Sequence, residues 1–453
     1  MATSSTGINL QVNITYRQIL QIALPITASI LVPQINFITN NVFLGGIGQQ
    51  ALAVAGITGV YYLIFAVIGN GFSTGLQALI SRRAGENRPE EISSLFAQGV
   101  RITLAMSIFG ILFTWFIAPT VLAHVMHDKS NIQLAVNFLH IRIVGLPILY
   151  LYLLRNAVLV GTNQSKYLVI GTAVEAITNI FFDYTLIQGR LGFPALGFNG
   201  AAYASIIAEF AGLASILIVL KYNKTIRQLN LFKSLKYNKE NLRLVLVKSS
   251  PLVAQYAISI ISWEFFYILI ERNDGQIDLA VSNTMRNIFG FFGCFTWAFA
   301  ATANTMVSNV IGQGLQHRVI ELIHKIVRLS FFTALAVGIV INLTPHLFLS
   351  VYHQSEAFID AAIPVLRVIS IAMLLQSFAV IWLNSVTGTG NAKINLIIEA
   401  VAITIYCIYV YAVVEVLQMP ITWGWGSEWL YWLTMFIPSF LYIKSGKWKG
   451  IKM

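Results

Sequence analysis

Three residues in one stretch of the chain have the types and spacing for cation chemistry. Glu175, Asn179 and Asp183 fall at i, i+4 and i+8 within the run from Val160 to Ser205. On a helix their side chains share one stripe. The surrounding residues are apolar, so this helix is expected in lipid. There a carboxylate at depth is costly and usually faces a cavity or a partner. Two carboxylates and an amide exceed what packing needs, which favours a cation-binding stripe. The alternative is a polar seam against a neighbouring helix, with the acids neutral or capped.

The elements that position this stripe follow from composition. The chain has 453 residues, of which 57% are hydrophobic and 10% charged, and its mean hydropathy is +0.73. Soluble domains carry about 25% charged residues, so this is an all-α polytopic membrane protein. Long apolar runs rather than short alternating segments exclude an outer-membrane barrel. The net charge of +11 does not point to nucleic acid, because the basic residues sit in loops between spans, as the positive-inside rule requires. Cys294 and Cys407 lie in apolar runs and read as small buried hydrophobes, not as a disulfide or metal site. No cleavable signal peptide is expected, and the first apolar helix is read as a retained anchor.

About twelve spans can be placed, each needing roughly 20 apolar residues. They divide into a six-helix lobe over 1–220, a basic linker over 221–248 and a second six-helix lobe over 249–453. The linker holds Lys221, Lys224, Arg227, Lys233, Lys236, Lys239, Arg243 and Lys248, which marks its side as cytoplasmic. Arg82, Arg83, Arg88, Lys166, Lys393 and the basic tail agree. Both termini are therefore expected in the cytoplasm, with the protein in the inner cell membrane. The halves echo each other: Thr387–Lys393, TGTGNAK, repeats Val160–Lys166, VGTNQSK, at an offset of about 227. Leu52-Ala53-Val54 recurs as Leu279-Ala280-Val281, and Arg83–Glu86 has its partner in Gly312-Gln313-Gly314. Two halves of equal span number share an orientation, which predicts a cleft between lobes and alternating access. Pro25 and Pro33 in the first span read either as hinges or as ordinary membrane-helix prolines.

With these residues in hand, the chain resembles the multidrug and toxic compound extrusion (MATE) family of the multidrug, oligosaccharidyl-lipid and polysaccharide exporter superfamily. The resemblance rests on Ala23-Leu24-Pro25, Phe43-Leu44-Gly45 to Gly48, Ala51-Leu52-Ala53, Ala84-Gly85, Gly161–Lys166, Asn179–Gly189, Gly192-Phe193-Pro194, Leu196-Gly197 and Gly200-Ala201-Ala202. It implies a V-shaped antiporter of twelve helices that expels organic cations in exchange for Na+ or H+, with no other cofactor. It also implies a cation site of a span-one acid, Asn and Asp in span five, and a hydroxyl in span six. Asn179 and Asp183 match the span-five pair and Ser205 the hydroxyl. The acid does not match, because Asn40-Asn41 stand in its place. Asn40 offers a carbonyl oxygen without charge. Glu175, one turn from Asn179, is the candidate to restore the missing charge. The region of the second half corresponding to Asn179–Asp183 carries no acid, which favours coupling in the first lobe.

Other polar residues fall within spans. Glu209 reads as a neighbour of Glu175 or Asp183, or as a lone protonated acid. Glu264, beside Trp263, Phe265 and Phe266, combines a charge with aromatic faces that suit a lipophilic cation. It reads equally as the ion-pair partner of Arg286 or Arg367. Glu264, Glu209, Trp263 and Arg286 are thus candidates for the substrate cavity. Arg142, Arg286 and Arg367 also keep an anionic substrate in play, and a lipid or oligosaccharide-lipid flippase is the second reading. Trp423, Trp425, Trp429 and Trp432 read as an interfacial belt. His124 and His127 read as solvated loop residues rather than metal ligands. No enzyme motif is found, so the expected partners are small molecules and membrane lipids, handled by a monomer.

Overall fold

A computed structural model describes residues 10–126, 128–231, 236–272, 276–350 and 355–451. Among them the regular structure is all helix. The first half runs α1 (Tyr16–Gly45), α2 (Gln49–Gly85), α3 (Pro89–Val125), α4 (Lys129–Ile143), α5 (Leu146–Gly161), α6 (Leu168–Phe182), α7 (Phe198–Tyr222) and the short α8 (Lys224–Gln228). The second runs α9 (Lys239–Arg272), α10 (Gln276–Gly312), α11 (Val319–Leu343), α12 (Pro345–Ser350), α13 (Glu356–Thr389), α14 (Ala392–Val410), α15 (Ile421–Trp425) and α16 (Ser427–Ser445). An apolar chain in lipid must close its backbone hydrogen bonds within each segment, which selects helices.

Eight of the helical segments are long and apolar enough to cross a bilayer, and α4 with α5, bent by 50°, makes a ninth. Three of the twelve expected spans fall short of that measure: α6, α10 and α16. Helix α6 has only 15 residues before its geometry changes. Helix α10 is 37 residues long but polar, and Thr302, Asn304, Thr305, Ser308 and Asn309 are all buried. Their side chains are hidden within the protein, so hydropathy along the chain understates how apolar the outer face is.

Contacts divide the chain into two compact units. One holds Ala28–Ser249; the other holds Val12–Thr27 with Ser250 onward. The first turns of α1 thus belong with the second half, and the boundary falls two residues after Pro25. Helix α1 continues through both Pro25 and Pro33. The stretch 221–248 is partly helical and packs with the first unit. Asn241 donates to the Ser94 hydroxyl at 2.8 Å, and Gln98 and Arg101 donate to the Lys236 carbonyl at 3.0 and 3.2 Å. Lys233 lies outside the described residues.

The internal repeat is visible in the backbone. Left-handed φ angles fall at Asn87 and Gly314, at Asn163 and Gly390, and at Leu191 and Gln418. Each pair is 227 residues apart. The turns match bond for bond: the Asn87 amide reaches the Ala84 carbonyl as Gly314 reaches Ile311, and Asn163 reaches Val160 as Gly390 reaches Thr387. Only glycine takes such angles without strain. At the first two of these turns the first half uses Asn where the second uses Gly, and at the third the pair is Leu and Gln, which is why the echo is faint at the level of letters.

The tryptophans near the end of the chain depart from the expected belt. Only Trp423 is exposed, while Trp425 and Trp432 are buried in the core of the second unit. Their indole N–H groups find inward acceptors. Trp425 donates to Ser282, Trp432 to Glu428 and Trp429 to the Val368 carbonyl. A satisfied indole is free to bury its large apolar face.

Candidate functional site

Helix α6 ends where the stripe becomes acidic. Asp183 opens a π-helical turn, Asp183–Ile187, and the corresponding place after α14 carries another, Tyr411–Val416. Such turns widen the helix by one residue and recur at functional sites. Helix α7 packs closely against this segment. A Cβ on Gly200 would lie 2.7 Å from the Leu186 carbonyl oxygen, and one on Gly212 would lie 3.1 Å from the Gly171 oxygen and 3.2 Å from the Glu175 Cβ. These two contacts fix an antiparallel register that brings Ser205 level with the turn between Asn179 and Asp183. Helix α1 approaches from the other side. Leu44 shares a core cluster with Ile187 and Phe198, and the rings of Phe43 and Tyr184 are 6.4 Å apart. Leu44, Asn40 and Asn36 form one stripe of α1. The end of α1 thus meets the π-helical turn that Asp183 opens, and Asn40 and Asn36 lie one and two turns before Leu44 on the same stripe.

The polar groups of these segments are oxygens. Asp183 is fully buried and Asn179 nearly so. No donor among the described residues reaches either carboxylate oxygen of Asp183, and the amide oxygens of Asn36, Asn40 and Asn199 are likewise buried without a partner. A buried carboxylate with no partner is costly, and oxygen-only ligand sets suit hard cations. Asn36 was not singled out from sequence, although its place one turn before Asn40 was a usable signal. Ser205 is half-buried.

One to three turns along α6 and α7 lies a second cluster, in which charges balance. Glu209 is held by Arg142 of α4 through both carboxylate oxygens, one bond measuring 3.1 Å and the other shorter. It therefore stands in an ion pair and not free against Glu175 or Asp183. The Arg142 guanidinium also lies 3.9 Å from the centre of the Tyr62 ring. Arg155, which the sequence reading passed over in a run of leucines, is buried and stacks 3.5 Å from the Tyr152 ring. Its Nη1 would meet a Cβ on Gly171 at 1.9 Å, so α6 comes close only because that residue is glycine. Glu175 borders this cluster and lies in the fields of Arg155, Arg142 and Glu209. Its Oε2 is buried without a partner.

The cavity candidates of the second half lie together on α9 and α10. Trp263 is half-buried, 6.4 Å from the Phe289 ring and 6.1 Å from Trp425. Arg286 sits 5.1 Å from the Tyr267 ring. Glu264 is half-buried, and the described ion pairs of this half, Arg272 with Glu415 and Glu321 with Arg318 and Lys325, do not include it. A separate apolar cavity of about 690 Å³ in the first unit is lined by Phe65, Ile102, Met106, Phe109, Tyr150 and Leu246, among others, and by none of the candidate site residues. His124 Nδ1 donates to the Thr120 carbonyl at 2.8 Å, while His127 lies outside the described residues. No three His, Cys, Asp or Glu among the described residues gather as a metal site.

Comparison with known proteins agrees with this architecture. The MatE family model matches the chain twice, over residues 25–185 and 251–413, one match in each half of the repeat. The chain is 30% identical over 228 residues to a probable multidrug resistance protein NorM of Synechocystis, covering 49% of this chain and 48% of that protein. The chain thus spans about half the length of the first curated relatives it matches. A probable multidrug resistance protein NorM of Thermotoga maritima is 23% identical over 446 residues, 96% of this chain and 93% of that one. Among solved structures, a transporter of the MOP superfamily from Pyrococcus furiosus, described by a reverse polarity of its binding pocket that suggests a different function, superposes with a TM-score of 0.88 over 98% of both chains at 16% identity. With both halves matched, the chain belongs to the multidrug and toxic compound extrusion (MATE) family of membrane transporters.

Proposed function

We propose that the protein exports small organic cations in exchange for Na+ or H+ by alternating access, with its coupling site in the first unit at Asp183, Asn179, Asn40 and Ser205. The observation that carries this reading is the Asp183 carboxylate, fully buried with no donor to either oxygen among the described residues, together with the unpartnered amide oxygens of Asn40 and Asn36 on α1, whose end meets the same turn. Such a set is stabilised by a bound cation or proton. Glu175 supplies the second negative charge that Asn40 lacks. Glu264 and Trp263 of α9 offer a lipophilic cation a charge and an aromatic face. In this reading the basic loops and both termini face the cytoplasm, and the protein acts as a monomer.

The test is ethidium movement in proteoliposomes under an imposed Na+ gradient and then a proton gradient, for wild type, Asp183→Asn and Glu175→Gln. Movement driven by one gradient, lost in Asp183→Asn and weakened in Glu175→Gln, is expected, and the effective gradient names the ion. Intact coupling in Glu175→Gln removes that residue from the site. The second reading is a flippase for lipid-linked oligosaccharides, favoured by Arg155, whose Nη1 and Nη2 are buried without an acceptor. If wild type moves no organic cation under either gradient, that reading takes precedence.

A further inference from the structure

The second half holds a buried carboxylate that the coupling site does not use. Glu399 of α14 is 2% exposed and is touched from two other helices. From α9, Ser259 Oγ lies 2.6 Å from its Oε1 and Gln255 Nε2 lies 3.3 Å from its Oε2. From α16, the Tyr431 hydroxyl reaches Oε1. Gln255 is itself oriented by Asn395, whose Nδ2 lies 3.4 Å from Gln255 Oε1 and 2.8 Å from the Thr387 hydroxyl of α13. The other amide atom of Asn395, Oδ1, is buried in the same cluster with no donor.

Counting hydrogens shows what this arrangement can hold. Ser259 Oγ also lies 3.0 Å from the Gln255 carbonyl oxygen, which can only accept. A serine hydroxyl has one hydrogen, so it cannot donate to both. When it donates to Glu399, the acid is an ionised carboxylate with three donors. When it turns to the Gln255 carbonyl, the hydrogen between Ser259 and Glu399 must belong to Glu399, and the acid is protonated. In that state Oε1–H donates to Ser259, and Oε2 still accepts from Gln255. Neither state strands an oxygen of Glu399, the Ser259 hydroxyl or the Gln255 Nε2, and one hydroxyl rotation separates them. Such completeness is what a buried site needs to exist in both forms.

We propose that Glu399 is a proton-binding site of the second half, separate from Asp183, which takes up and releases one proton through the Ser259 hydroxyl. The balance is simple: a proton from water is gained on Oε1 and the same proton is later lost, with no other bond changed. The surroundings contain no countercharge. Thr387 of α13 and Gln255 and Ser259 of α9 are neutral. Tyr431 of α16 touches the acid; Tyr406 of α14 lies 5.9 Å from Tyr431, and Glu428 of α16 acts on Tyr431. No cation acts on Glu399 among the described residues. Ser259 and Tyr431 are only half-buried, which leaves the proton a way in.

The experiment does not depend on the transport reading. Infrared difference spectra of the full-length protein in lipid nanodiscs, with glutamate carboxyl-labelled by 13C, are recorded across a pH titration. A labelled carboxylic-acid component that grows as pH falls, is missing from the Glu399→Gln spectra and remains in Asp183→Asn is the expected result. Ser259→Ala and Tyr431→Phe keep the acid but remove a donor, so each displaces the midpoint of that band. They carry the test if Glu399→Gln fails to fold. A labelled band identical in wild type and Glu399→Gln overturns the proposal, as does a midpoint unmoved by both donor variants. A band abolished at neutral pH by Na+ alone also overturns it, since the ligand would then be a metal cation.

Discussion

Breaking the pair between Arg142 and Glu209 should be expensive, and repairing the break by removing both charges should be cheap. Both side chains are nearly buried, at 10% and 7% exposure, and Arg142 has no other carboxylate in contact. Replacing Glu209 alone strands a guanidinium in the apolar interior against the Tyr62 face, with Glu175 acting on it only at longer range. Removing one partner of a buried pair costs about 3–5 kcal/mol, while replacing both by apolar residues of similar volume is near neutral. For a folding unit of this size each kcal/mol moves the melting temperature by about 2–4 °C, so each single variant should fall by about 6–20 °C. The assay is a double-mutant cycle of Arg142→Met, Glu209→Met and the double variant, melted in detergent and followed by size-exclusion fluorescence. The double variant should recover most of the loss, giving a coupling of at least ~2 kcal/mol. Additive losses, with no recovery in the double variant, would mean that the pair is not closed in the folded protein and would refute the reasoning.

Two further outcomes follow from local geometry. Gly200→Ala drives a Cβ to 2.7 Å from the Leu186 carbonyl oxygen, and backbone on both sides cannot yield. Its melting temperature should fall by the equivalent of about 1–3 kcal/mol of overpacking, and a melt within error of wild type would show that α7 does not sit against the π-helical turn. Asp128 caps α4, accepting from the Ser130 amide and hydroxyl at 2.8 Å each, and these bonds hold its carboxyl below the usual range. A depressed folded-state value means that the cap contributes fully above the unfolded value, about 3.9, and is lost only as pH falls through the folded one. Hydrogen exchange of the first turn of α4, corrected for intrinsic rates, should therefore show protection at neutral pH that fades in acid, and Asp128→Ala should lack it throughout. Equal protection in both proteins at neutral pH would remove the cap.

Much of the protein was legible in the chain itself. Long apolar runs point to helices, because a backbone in lipid must be satisfied within each segment or in a closed barrel, and barrel strands are short and alternating. The offset of 227 between TGTGNAK and VGTNQSK announced the repeat, since a left-handed turn constrains residue type at a fixed position. The stripe of Glu175, Asn179 and Asp183 was readable because helical periodicity is local. What the letters could not show was which helix faces which. That Glu209 belongs to Arg142, that Arg155 lies buried on Tyr152, that the late tryptophans turn inward, and that Glu399 is gathered by Gln255, Ser259 and Tyr431 all depend on partners 3 to 144 residues away in sequence. A carboxylate in an apolar helix has the same letters whether it meets an arginine, a serine or nothing. Its chemistry is set by neighbours that only packing brings into contact.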